Sequence, residues 1–253
     1  MASAPLEVTP VPVADILALR EEYRREMACQ IVHDSWHERG FTDAYLLGAR
    51  GRTVGYGAVG GPPREERDIL KEFYVRPPDR GMALPLFRRL AAASGARRVE
   101  AQTNDTLLLL MLYDCAAGLT SETILFDDCL TTSLAAPGVT LRHLTEADRA
   151  RAFPHTAEPV GEWGLEMGGE IVATGGLTFH YNPPYGDVYM EVAAAHRRRG
   201  LGSYLVQELK RLCYEMGRVP AARCHQSNVG SRGALQRAGL LPCARVVQGR
   251  LSA

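Results

Sequence analysis

One order of elements is written twice along this chain, and that repetition narrows the fold more than any other feature. A long helix-compatible stretch at 13–39, rich in Ala, Leu, Arg and Glu, is followed by apolar segments at 44–47, 54–59 and 69–75. Gly, Pro and charged turns separate these three, so they predict strands. A helix at 84–93, a strand at 99–101, a helix at 106–117 and a strand at 123–126 complete the first series. Leu134-Ala-Ala-Pro-Gly138 predicts a linker, because a Pro-Gly breaker ends a run of small residues.

The series then restarts. A strand at 139–144 leads into Thr145-Glu-Ala-Asp148, with Thr145 as a candidate N-cap. Strands follow at 163–167, 171–181 and 187–192, the first two joined by a Gly168–Gly169 hairpin turn. Apolar residues at 205, 206, 209, 212, 213 and 216 predict an amphipathic helix over 203–216. A strand at 222–224, a helix at 231–238 and a strand at 244–247 end the second series. Local text repeats too: Val75-Arg-Pro-Pro-Asp-Arg80 answers Val192-Ala-Ala-Ala-His-Arg197, and Gln102-Thr-Asn104 answers Gln226-Ser-Asn228. The expectation is an α/β protein of two tandem mixed-sheet domains, 1–135 and 139–253, derived from one duplicated unit.

Composition removes several function classes. Among 253 residues, 29 basic side chains balance 29 acidic ones, so no broad positive field marks a nucleic-acid or anionic-membrane partner. At 46% hydrophobic and 23% charged, the chain is of ordinary globular type. Six cysteines, none in a CxxC pair, argue against a structural zinc or disulfide framework and fit a reducing compartment. No basic and apolar leader is visible at the start, and the aliphatic run at 107–112 is too short to span a bilayer. A cytoplasmic protein is expected. Only Lys71 and Lys210 are lysine and 27 residues are arginine, so an arginine cluster carries little weight by itself.

The segment Glu191-Val-Ala-Ala-Ala-His-Arg-Arg-Arg-Gly-Leu-Gly-Ser203 lies between a predicted strand and the amphipathic helix. Gly200 and Gly202 remove side chains where backbone must come close to a ligand. The helix start offers unpaired N–H groups and the positive end of its dipole. Together these make a cradle for a diphosphate. The spacing lacks the first glycine of the dinucleotide fingerprint and the Gly-Lys-Ser/Thr ending of a P-loop. Glu215 also falls inside the helix rather than after a second strand, which argues further against dinucleotide binding.

Val192-x-x-x-x-Arg197-x-x-Gly200-x-Gly202 on a strand-to-helix turn resembles the acyl-CoA signature of the GNAT superfamily of N-acetyltransferases. The resemblance continues through Asn228, Ser231 and Leu235-Gln-Arg-Ala-Gly239-Leu240, and covers nearly all of 139–253. It implies a mixed sheet whose fourth and fifth strands splay, with the thioester of acetyl-CoA in the gap. It further implies donor binding by Val192, Ala193, Ala194, Arg197, Arg198, Arg199, Gly200, Leu201, Gly202, Ser203, Tyr204 and Asn228, with no metal. In the first half the matching loop places Ala83 against Gly200 and Pro85 against Gly202, and proline has no amide to donate. That half is read as a degenerate repeat that shapes the acceptor pocket, as the second half of a pseudo-dimer.

Amine acetylation needs a base, and in the family a carboxylate on the fourth strand serves. Glu191 and Asp187 stand four apart on that strand, hence on one face; burial would raise the pKa of such a base. The family's thiolate-protonating Tyr is replaced by Leu235. His225, Tyr204 or water are the substitutes, and Tyr113 is one residue out of register with Gly118. His33 and His37 have i, i+4 metal spacing but no third ligand. His180-Tyr-Asn-Pro-Pro-Tyr185 lies beside the splay as a candidate acceptor contact. The expected activity is acetyl transfer to a small-molecule or peptide amine, with nucleic acid and membrane excluded as partners. The competing reading is a non-catalytic acyl-CoA-binding or regulatory module.

Overall fold

The computed structural model describes residues 5–27, 29–30, 34–61 and 67–251. The chain divides into two compact units, Met1–Glu122 with Ala244–Ala253, and Thr123–Cys243.

In the first unit, β1 (Leu6–Val11), β2 (Thr42–Ala49), β3 (Arg52–Gly60) and β4 (Ile69–Val75) form an antiparallel run. Helix α3 (Ala83–Ser94) then crosses to β5 (Arg98–Gln102), which pairs parallel with β4 only at Ile69 and Leu70. Helices α1 (Leu17–Glu26), α2 (Asp34–Glu38) and α4 (Thr106–Cys115) complete the layer. Ile16, Leu47, Phe73, Phe87 and Leu90 are fully buried in its core.

The second unit repeats that topology. Strands β7 (Thr140–His143), β8 (Trp163–Met167), β9 (Glu170–Thr178) and β10 (Tyr185–Val192) run antiparallel. Helix α6 (Leu201–Glu215) crosses to β11 (Val219–His225), parallel to β10, and α7 (Val229–Arg237) follows. Leu201, Leu205, Leu209 and Leu212 recur at helical spacing on the buried face of α6. Each such leucine contributes roughly 1.5–3 kcal/mol on burial. Helix α5 (Glu146–Ala150) starts with the expected Thr145 cap, as a reciprocal capping box with Asp148.

The sixth strand of each sheet comes from the other half of the sequence. In β6 (Ala116–Asp128), residues 123–127 pair antiparallel with β11 of the second unit. In β12 (Leu240–Leu251), residues 246–250 pair antiparallel with β5 of the first. The expected division at 135–139 therefore differs from the compact units, because strand pairing rather than sequence order decides which segment closes each sheet. Leu134-Ala-Ala-Pro-Gly138 lies inside the second unit, where Gln207 of α6 accepts from the Leu134 amide at 2.6 Å and donates to its carbonyl at 3.1 Å.

Two further differences are local. The expected long helix at 13–39 is split into α1 and α2. Ahead of it β1 was hidden by Pro10 and Pro12; Pro10 is tolerated because β1 lies at the sheet's edge, pairing with β2 alone.

Candidate active site

Strands β10 and β11 pair only at Tyr185–Asp187 against Val219–Ala221, and beyond that register they separate. The gap opens into a cleft of about 620 Å³ within the second unit. Its walls are the end of β10, the turn into α6, one face of α7 and the loop at 156–158.

The turn is built by backbone geometry. Gly200 caps α6 at φ 82°, and Arg198 adopts φ 62°, a conformation that costs a non-glycine residue roughly 1 kcal/mol. No side chain caps the helix, so its first amides have no intrahelical acceptor, and the residues that carry them, 200–203, line the cleft. A Cβ on Gly202 would lie 3.2 Å from Met190 Cε and 3.4 Å from Val192 Cγ2, so glycine keeps the helix close to β10. Arg197 donates through Nε to the Val192 carbonyl at 3.1 Å and stands 3.7 Å from Glu191, which makes it a staple of the turn.

Of the residues expected to hold the donor, Val192, Arg197, Arg198, Gly200, Leu201, Gly202, Ser203 and Asn228 line the cleft. Ala193, Ala194, Arg199 and Tyr204 do not. The Ala193 amide is used on Val172, and Arg199 turns to His196 and Met167. Asn228 Oδ1 caps α7 by accepting from Ser231 N at 3.0 Å. Sequence reasoning had not placed Gly230, Gly233, Ala234 and Arg237 in the cleft. They recur at helical spacing on the lining face of α7, and that periodicity was the available signal.

Glu191 and Asp187 share a face of β10, as expected, but Glu191 does not carry the raised pKa of a buried base. Burial opposes its charge, yet the amides of Glu158, Ala157 and Thr156 and the Thr156 hydroxyl outweigh that and hold the carboxyl below the usual glutamate range. Those bonds measure 2.9–3.2 Å. Asp187 is buried, 3.2 Å from His180 Nε2 and 3.9 Å from Arg223 Nε, and buried Tyr181 adjoins it. The 180–185 loop therefore does reach this face. Glu158, which sequence reasoning missed, lines the cleft as an exposed residue, and partial loss of hydration together with Asp187, against Arg223, moves its carboxyl above the usual glutamate range.

Leu235 is buried in the core of the second unit, so no hydroxyl comes from that slot. His225 is exposed and bonded to Ser227, and Tyr113 is exposed on α4 of the first unit. His37 is buried, with Nε2 3.1 Å from Glu72 and Nδ1 2.6 Å from Thr42, so both ring nitrogens are engaged; His33 lies outside the described residues.

The loop of the first unit differs in charge as well as shape. Arg80 Nε reaches the Val75 carbonyl at 3.1 Å, as Arg197 reaches Val192. Its guanidinium is also paired with Glu26, and Arg76 pairs with Glu22 at 2.6 Å. Two carboxylates from α1 thus neutralise this loop, and Pro85 removes an amide from the start of α3.

Residues 130–240 match the profile of the Acetyltransferase (GNAT) family. They are a GNAT acetyltransferase domain. The fold likeness extends over the whole chain. A GNAT-family acetyltransferase from Colwellia psychrerythraea is 15% identical with TM-score 0.77, covering 97% of this chain and 100% of that one. A tandem GNAT protein from the clavulanic acid biosynthesis pathway is 14% identical with TM-score 0.56, covering 98% and 99%. A GCN5-related N-acetyltransferase from Sphaerobacter thermophilus is 19% identical with TM-score 0.55, covering 98% and 96%. No curated protein matches the chain significantly.

Proposed function

We propose that the second unit is an acyl-CoA-dependent N-acyltransferase that takes acetyl-CoA and transfers its acetyl group to an amine by direct attack on the thioester. The observation that carries this reading is the continuous cleft from the uncapped start of α6 to the separation of β10 and β11. Helix amides suit a diphosphate, and the unpaired edge of β10 suits the amide-bearing pantetheine arm. Arg198 and Arg237, both at the cleft, add positive charge for an anionic donor.

The first unit is a degenerate copy of the same fold that no longer holds a donor, since Glu22 and Glu26 already satisfy its loop arginines. It acts as the structural half of a pseudo-dimer. The acceptor is a small-molecule or peptide amine, with neither nucleic acid nor membrane as partner, and the setting is the cytoplasm. Among the described residues no helix is long and apolar enough to cross a membrane.

One observation favours a second reading, a non-catalytic acyl-CoA-binding module: Leu235 is buried where the family places its acid. A thiolate is a tolerable leaving group, so turnover without that acid remains chemically reasonable. Titration calorimetry with acetyl-CoA tests the donor; no heat of binding to the wild-type protein eliminates it. Thiol release across a panel of amines separates enzyme from module, since turnover of any amine above background excludes the module.

A further inference from the structure

We propose that Glu158 accepts the proton of the acceptor amine and that Glu191 is the residue that positions it. The inference rests on the acyl-transfer reading for its chemistry, and its geometry is independent of the donor turn.

Glu191 and Thr174 are cross-strand partners on β10 and β9. Between them they hold one loop. Thr174 Oγ1 accepts from Gly161 N at 3.2 Å and lies 2.7 Å from His155 Nε2. Glu191 takes the amides of the three successive residues 156–158. A carboxylate with its lone pairs so occupied is a poor proton acceptor, because each donor stabilises the ionised form. Asp187 lies outside the cleft lining and already faces His180 and Arg223. Glu158 has its amide tied to Glu191 and its residue in the cleft wall. The charged groups facing it are Asp187 and Glu191 of β10 and Arg223 of β11. Partial loss of hydration at the cleft wall, with two acidic neighbours against one base, favours the protonated carboxyl, the direction that brings a glutamate toward working pH.

The acceptor ammonium gives one proton to the Glu158 carboxylate, and the freed nitrogen pair attacks the thioester carbon. The C–N bond forms while the carbonyl π pair moves to oxygen. On collapse the oxygen pair re-forms the carbonyl, the C–S bond breaks, and the thiolate leaves with the C–S bonding pair. It takes the second proton that the nitrogen must lose, while Glu158 returns its own to bulk water.

Carboxyl-carbon NMR on glutamate-labelled protein tests this without an acceptor. The signal absent in Glu158→Gln should titrate above the ordinary glutamate range, and Glu191→Gln should move it. Titration at or below the ordinary range overturns the proposal. Thiol release from acetyl-CoA with tyramine, putrescine, glycinamide and lysine supplies a kinetic arm. For any amine turned over, Glu158→Gln should lower kcat by about 100-fold, keep acetyl-CoA affinity within about twofold of wild type, and abolish the acid limb of the pH profile. Glu158→Asp should restore part of kcat. Glu191→Gln should lower kcat but keep the acid limb. A Glu158→Gln variant with wild-type kcat overturns the proposal and leaves the donor reading standing. If no amine is turned over, the titration alone decides. Absence of acetyl-CoA binding in calorimetry is the separate failure of the donor reading.

Discussion

Arg197 donates to the carbonyl of Val192, five residues back, at 3.1 Å, and so closes the turn before α6. Arg80 makes the same bond to Val75 at the same distance in the first unit. A staple retained in both turns, although Pro85 removes an amide from the start of α3 and α1 carboxylates pair the first loop's arginines, is a structural element first and a ligand contact second. Arg197→Ala should therefore weaken acetyl-CoA binding by about tenfold, the loss of one charge-assisted hydrogen bond of roughly 1.5 kcal/mol. Calorimetry checks the affinity. Unchanged binding would show that the turn holds its shape unaided.

Gly202 separates two roles of glycine. Proline there deletes an amide yet is compatible with the first turn of a helix. Gly202→Pro should abolish acetyl-CoA binding with an unchanged circular dichroism spectrum. Gly202→Ala keeps the amide, and the flexible end of Met190 need give way only by a few tenths of an ångström. Its affinity should stay within a few-fold of wild type.

Asp105 gives the first unit a pH signature. It caps α4, accepting from Leu108 N at 3.1 Å and from the Tyr23 hydroxyl at 2.8 Å, and burial pushes its carboxyl up to about 6. The folded state therefore binds a proton more readily than the unfolded chain. Between about 4 and 6 its contribution to stability falls as pH rises, and above 6 the buried charge costs roughly 3 kcal/mol. Asparagine caps a helix equally well. Asp105→Asn should raise the melting temperature relative to wild type at pH 7, and the difference should vanish near pH 4. A pH-independent difference would mean that the ionised carboxyl is not destabilised there.

The exchanged strands predict a consequence for truncation. Removing residues 244–253 strips the partner from β5 and takes Val247 from the first core. Amide hydrogens of β4 and β5 should then exchange much faster, while those of β9 and β10 keep their protection. Equal loss in both units would contradict the division of the chain at Glu122–Thr123 and Cys243–Ala244.

Asn228→Ala removes the cap of α7 and should cost about 1 kcal/mol in chemical denaturation. The correspondence of Asn228 with Asn104 is also adjusted by the caps, since the first unit uses Asp105, one residue on.

Much of this molecule is readable from local pattern. The leucine spacing of α6, the capping box at Thr145 and the Gly200–Gly202 turn are decided by neighbours within a few residues, so their sequence states them. The turn that lines the cleft follows directly, because backbone amides at a helix start require no distant partner. Two things depended on distant residues. Strand exchange is invisible locally, since β6 and β12 present the same alternation whichever edge they close. The proton affinities of the carboxylates were likewise tertiary: Glu191 and Glu158 differ in the direction of their shifts because one meets three loop amides, while the other loses hydration and lies near the like charges of Asp187 and Glu191. Proton affinity is a property of surroundings, and those surroundings are assembled only when β10, β11 and the 156–158 loop come together.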